Sequence, residues 1–329
     1  MRAVGIDLGG SKLLACLSDD EGHILGRAVR ATGRDTGPVE ACHLIARAAR
    51  ELKDGFGPFD VIGVGFPGQV DFERGRIGGS VMLDGWQDIP LAQLVTTAVG
   101  VPCVVDNDVN CAALAELEER QDEAPDSMLF VAVGTGIGGA IALGNHLWRG
   151  HTGVAGEIGN VTIDRHGPSC WCGRRGCLNT YASGTAIEQQ LGPGVSLTEQ
   201  VALGHPRLDA VLDEAAEALG IGLANALNLL NPALVVLGGG VAQVGHRWLE
   251  VVARTARREA FPEAGQCRFE LARAGYEAGA MGAALLALDE FRSTAALEMA
   301  ATTSAPPAAR AAPGATGIPN PSAGPRAVR

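Results

Sequence analysis

Residues 129–177 decide how this chain is read: LFVAVGTGIGGAIALGN (129–145), HLWRGHTGVAGEIGN (146–160) and VTIDRHGPSCWCGRRGC (161–177). Two apolar runs, Leu129–Val133 and Gly139–Leu143, flank the turn Gly134-Thr135-Gly136-Ile137-Gly138. Glycine allows positive φ and lets a ligand come close to the amides. A strand, glycine turn and strand present successive N–H groups to an anion such as phosphate. Glu157 follows, one carboxylate between Gly156 and Gly159. Cys170, Cys172 and Cys177 then have the spacing of a metal site. A phosphate cradle, an isolated acid and a thiol cluster this close together are hard to explain as packing alone.

The same logic appears at the start of the chain. Residues 2–7 form a strand ending in Asp7, and Leu8-Gly9-Gly10-Ser11-Lys12 turns the chain into strands 13–18 and 24–31. An Asp facing such a turn can hold Mg²⁺ while the amides meet phosphate. The alternative is an ordinary hairpin with an Asp cap. Two such units, one per half, suggest two related lobes clasping one nucleotide. The polar stretch 122–127 is the expected boundary, giving lobes 1–121 and 122–292.

Between them, apolar spacing at Cys42, Ile45, Ala49 and Leu52 predicts a helix from Thr36. Residues 60–66 read as a buried strand, and 68–71 and 80–90 as loops. Strand 101–105 delivers Asp106-Asn107-Asp108 to helix 109–121, and ligands in α/β sheets collect at such strand ends. Asp108 could equally be a helix cap. Further on, helices are expected at 180–191, 197–203 and 208–230. Strand 233–237 leads through Gly238-Gly239-Gly240 into a helix, which suits the adenosine or α-phosphate end of a nucleotide. A strand over 268–272 and a last helix over 277–291 complete the core, with packing of that helix back on the first lobe as one expectation. Residues 293–329, rich in Ala and Pro, read as a disordered tail.

Composition narrows the function. A chain of 329 residues, 47% hydrophobic, has ample material for two packed cores. A net charge of −11 argues against nucleic acid or an anionic membrane as partner. No leader is read ahead of the first strand. Eight cysteines without a secretion signal suggest a reducing, cytoplasmic setting. Cys16, Cys42, Cys103, Cys111 and Cys267 stand alone in apolar segments and read as core. Only Lys12 and Lys53 occur, so a lysine inside a glycine turn draws notice.

Six motifs together resemble the ROK family of bacterial sugar kinases, within the hexokinase–actin–Hsp70 ATPase superfamily. They are residues 5–12 (GIDLGGSK), 106–110 (DNDVN), 134–139 (GTGIGG), 156–159 (GEIG), 170–177 (CWCGRRGC) and 237–240 (LGGG), spread over roughly residues 3–291. The resemblance implies an α/β fold of two ribonuclease-H-like (actin-like ATPase) lobes around a central cleft. It further implies ATP and Mg²⁺, a structural Zn²⁺, and Asp108 as general base toward a sugar hydroxyl. Asn107, Glu157, Asn160, Asn179 and Gly68 would serve the sugar. Asp7, Gly9, Gly10, Ser11, Lys12, Gly134, Thr135, Gly136, Gly138 and Gly238–Gly240 would serve ATP. ROK proteins are often homodimers or homotetramers. Some carry a DNA-binding module before the first phosphate loop. Here only Met1 and Arg2 precede that strand, so a repressor is not expected.

Three residues depart from the family pattern. Asn160 stands where the family has a zinc-binding His, Asn179 where it has a sugar-binding Glu, and Met82 where it has Asn. Cys170, Cys172 and Cys177 supply three zinc ligands, and a structural site wants four. His166 is the favoured fourth, with His151, water or no ligand as alternatives. The expected activity is glucokinase-like phosphorylation of glucose. The same departures leave room for N-acetylmannosamine, N-acetylglucosamine or fructose as substrate, or for a silent sugar-binding regulator.

Overall fold

Strand β1 (Arg2–Leu8) is buried along almost its whole length, as a central strand must be. It pairs antiparallel with β2 (Lys12–Asp19), which pairs antiparallel with β3 (Ile24–Ala31). Helix α1 (Pro38–Phe56) crosses over and returns the chain to β4 (Val61–Phe66), parallel to β1. A short hairpin, β5 (Gln69–Asp71) and β6 (Arg76–Gly79), occupies part of the region expected to be loop. Helix α2 (Leu91–Val99), not foreseen from the sequence, leads to β7 (Cys103–Asn107), which closes the first sheet in the order β3-β2-β1-β4-β7. The computed structural model describes residues 1–192, 194 and 196–303.

After α3 (Asp108–Glu118) the pattern repeats. Strands β8 (Ser127–Val133), β9 (Ile137–Leu143) and β10 (His146–Leu147) form an antiparallel meander. Helices α4 (Asn179–Ala182), α5 (Gly184–Leu191), α6 (Leu197–Leu203) and α7 (Leu208–Leu230) follow, then β11 (Leu234–Gly238), parallel to β8. Helix α8 (His246–Glu259) and β12 (Arg268–Leu271) finish a sheet ordered β10-β9-β8-β11-β12. The two orders correspond strand for strand: an antiparallel meander followed by two parallel strands.

The helix expected over 180–191 is broken at Ser183, whose hydroxyl accepts from Ala186 N at 3.1 Å and caps α5. The last helix, α9, runs Ala278–Thr303 and so continues through residues read as the start of a tail. The rest of that tail, 304–329, lies outside the described residues.

Two helices bind the halves together. Ala113 and Leu117 of α3 pack with Met128, Phe130, Ala140, Leu234 and Val236 of the second sheet. Ala284, Ala287 and Leu288 of α9 pack on Ala3 and Val61 of the first. Gly5 and Gly63 make that contact possible. A Cβ on either would collide with a backbone carbonyl of α9, Ala280 or Ala283 respectively. Among the described residues, no helix is long and apolar enough to cross a membrane.

Candidate active site

The end of β7 and the start of α3 form one wall of the site. Asn107, not Asp108, is the N-cap: its Oδ1 accepts from Val109 N at 2.9 Å and Asn110 N at 3.2 Å. Its Nδ2 donates to the Gly68 carbonyl at 3.2 Å, which fixes the amide across the β4–β5 turn. With the cap supplied by its neighbour, Asp108 is placed one residue into the helix, where the dipole favours negative charge. Asp106 is almost fully buried and accepts from Asn110 Nδ2 and Arg149 Nε.

The second glycine turn packs on this wall, and Asp7, which leads into the first, acts electrostatically on Asp108. In the first, Gly9 N donates to Lys12 O at 2.9 Å, and Thr32 Oγ1 donates to Gly9 O. Gly10 faces the Met82 backbone and thioether, so Met82 lies over this turn. Lys12 Nζ sits 3.7 Å above the Tyr276 ring. In the second, Gly134 N donates to Gly136 O at 2.8 Å. Gly138 lies against the Val109 side chain, next to Asp108.

Charge accumulates between them. Burial pushes Asp108 up to about 7, with Asp7 and Glu157 raising it further. Asp7 is raised by burial against the opposing pull of Lys12. Glu157 is raised by burial, opposed by its hydrogen bond from Asn160. The negative charge of Asp7 and Glu157 thus bears on Asp108, and a cation bound nearby would oppose it.

Glu157 has a defined support. Asn160 Nδ2 donates to Glu157 Oε2 at 3.0 Å, and Asn179 Nδ2 donates to Asn160 Oδ1 at 3.4 Å. Asn179 is buried beneath the second glycine turn, its Oδ1 accepting from Ile137 N at 2.7 Å.

The third glycine segment meets the second through the sheet, because β11 and β8 run parallel with Gly238 opposite Ala132. Gly239 has φ +86°, and a Cβ there would come within 2.5 Å of the Val133 carbonyl. Beside these segments lies a cavity of about 500 Å³, whose lining includes Gly134, Thr135, Gly240, Thr185, Glu188 and Gln243. Thr185 Oγ1 also donates to Thr135 O at 2.9 Å. The last three lining residues escaped the sequence reading. Thr185 and Glu188 sit on α5 and Gln243 after β11, without a motif, and only the folding of both segments around the cavity brings them together.

The cysteines converge as their spacing suggests. The sulfurs of Cys170, Cys172 and Cys177 all lie within 4.8 Å of one another. Cys172 is held down to about 6, chiefly by Arg174, whereas burial pushes Cys177 up to about 12. Three thiols at this spacing fit three corners of a tetrahedral zinc site. His166, the favoured fourth ligand, is not in the cluster: its Nε2 accepts from Arg165 Nε at 2.8 Å and its backbone N–H is bound to Asp164. The local turn formed with Asp164 carries the imidazole elsewhere.

The model of the ROK family matches residues 3–290. The chain belongs to the ROK family. The glucokinase of Halalkalibacterium halodurans is 33% identical over 306 residues, covering 85% of this chain and 92% of the relative. The N-acetylmannosamine kinase of Yersinia pseudotuberculosis is 33% identical over 296 residues, covering 87% and 98%. A crystal structure of a ROK family glucokinase from Streptomyces griseus, in complex with glucose and AMPPNP, superposes with TM-score 0.78 at 30% identity. That match covers 88% of this chain and all of the other. The fold is therefore the two-lobed, actin-like ATPase fold of the ROK kinases.

Proposed function

We propose that this ROK protein transfers the γ-phosphoryl group of ATP to a hydroxyl of glucose. The reading rests foremost on one observation: a partly buried Asp108, raised to about 7 with Asp7 contributing, on the wall that the second glycine turn packs against. A base with that affinity is ionised half the time near neutrality and is a better proton acceptor than an ordinary Asp. In this reading Asp108 takes the hydroxyl proton as the sugar oxygen attacks in line. The free N–H of Asn107 and the Glu157 carboxylate bind sugar hydroxyls beside Gly68. Asn160 and Asn179 act at that end from behind Glu157.

The first turn, closed by Gly9, offers the amides of Gly10 and Ser11 with Lys12, and it and the turn Gly134, Thr135, Gly136 and Gly138 receive the phosphates. Gly238, Gly239 and Gly240 and the neighbouring cavity take the adenosine. Asp7 would hold Mg²⁺, which when bound neutralises charge on the phosphate oxygens. Cys170, Cys172 and Cys177 would hold a structural Zn²⁺. The halves 1–121 and 122–292 act as lobes whose closure excludes water as a competing nucleophile. The net charge of −11 and the reduced cysteines favour a cytoplasmic protein without nucleic-acid or membrane partners. A homodimer or homotetramer is the assembly we propose by analogy with the family.

A second reading keeps the chemistry and changes the sugar. Asn160, Asn179 and Met82 favour it, as does the likeness to an N-acetylmannosamine kinase. An ADP-release assay with Mg-ATP and glucose, mannose, fructose, N-acetylglucosamine and N-acetylmannosamine decides. Highest kcat/KM on glucose supports the first reading, and a preference for an N-acetylated sugar or fructose supports the second. A folded protein that turns over none of them overturns both.

A further inference from the structure

Ile137 N–H can only donate, and it donates to Asn179 Oδ1 at 2.7 Å. That fixes which way the buried amide faces, because a flipped Asn179 would set two donors against each other. Its nitrogen is therefore the end that meets Asn160 Oδ1 at 3.4 Å. Asn160, its oxygen used, directs its own nitrogen to Glu157 Oε2 at 3.0 Å. The polarity of one backbone amide in the second glycine turn thus passes through two side chains to the carboxylate.

We propose that Asn160 and Asn179 are a matched pair of positioning residues, which orient Glu157 toward substrate and couple it to the glycine turn. The proposal rests on the sugar-kinase reading of Glu157. It makes the two amides depend on each other. A carboxylate at 179 has no proton to give, so Asn160 would turn round to donate to it. Asn160 would then present its oxygen to Glu157, acceptor against acceptor. Asn at 179 therefore requires an acceptor at 160, and the two amides work only in this one orientation.

The test is Asn179→Asp, which keeps the size and the bond from Ile137 but removes the donor. Sugar KM is expected to rise about tenfold, the scale of one charge-assisted hydrogen bond, with ATP KM changing much less. Asn160→Ala should raise sugar KM by a similar factor, and the double variant should be no worse than either single one, a coupling that independent sites do not show. In ¹H–¹⁵N spectra of the Asn179→Asp protein, the Asn160 side-chain amide should shift as its NH₂ leaves Glu157. That spectrum needs no turnover, so it separates failure of this proposal from failure of the kinase reading. An unmoved Asn160 resonance, an unchanged sugar KM in an active enzyme, or losses that simply add in the double variant would overturn the pairing.

Discussion

Arg149 Nε donates to Asp106 Oδ2 at 2.7 Å, and the Arg149 guanidinium lies 3.8 Å from the centre of the Phe72 ring. Arg149 precedes Glu157 in the loop after β10, and Asp106 immediately precedes Asn107 and Asp108. One ion pair therefore joins the segment that carries Glu157 to the strand that carries the proposed base. The Asp106 carboxylate is almost fully buried, and its other oxygen already accepts from Asn107 N and Asn110 Nδ2.

Removing the cation leaves that carboxylate without its counter-charge. Arg149→Gln should destabilise the protein by about 2 kcal/mol, less than a fully buried pair because Arg149 is partly exposed. Asp106→Asn in the same chain should recover part of the loss. Urea denaturation of the two single variants and the double variant measures the coupling. Additive losses would show that the pair does not matter.

Asp108→Asn should lower kcat by about a thousandfold, within the range for loss of a general base. It should also stabilise the fold. Asp108 is held above its unfolded value, so ionising it costs the folded state, and that contribution to stability is lost as pH rises to about 7. Asparagine has no such penalty. Thermal melts should show a gain of about 2 °C or more at pH 8 that nearly vanishes at pH 4.

The same shift sets the pH profile. The base must be ionised to act, so kcat/KM for the sugar should fall about tenfold per pH unit below about 7. A bound divalent cation favours the ionised form, so the acid limb of kcat at saturating Mg-ATP should lie at lower pH. Identical limbs in the two profiles would remove Asp108 as their origin.

Gly239→Ala should act on the nucleotide end alone. At φ +86°, with a Cβ 2.5 Å from the Val133 carbonyl, alanine forces the turn away from β8. ATP KM should rise about tenfold or more, the effect of a displaced contact worth over 1 kcal/mol, while sugar affinity measured without ATP stays near the original.

Elemental analysis of protein purified without chelator should find about one zinc per chain if the three thiols hold it. Stripping it should lower the melting temperature and raise sugar KM, since Cys177 pairs with Thr162 and lies two residues before Asn179. A metal-free protein with unchanged melting would mean that the cluster closes without an ion.

Much of this was legible from residues 129–177 and their echo at residues 2–18. Short glycine turns between apolar runs fix strand, turn and strand locally, and the turn itself stays open: a Cβ on Gly134 would meet nothing within 4 Å. The helix over 208–230 was equally plain, ending at Asn231 in the left-handed region. Helix α2 was missed because its nine residues, Leu91–Val99, bury only Leu91 and Val95 and carry no side-chain cap. The continuation of α9 beyond residue 291 was missed because the alanines after it are strong helix formers that composition alone assigned to a tail.

The sequence by itself determined the strands, the glycine turns, the cysteine cluster and the placement of Asp108 at a strand end. All of these follow from short-range spacing and backbone sterics. Tertiary structure alone decided that Asn107 caps α3, that His166 leaves the cysteines, and that Asn179 meets Ile137, 42 positions earlier in the chain. It also decided that α3 packs on the second sheet, and it fixed the return of α9 to the first. Such choices depend on which distant groups can satisfy a buried amide or fill a packed face, and that is settled only once the chain has folded back upon itself.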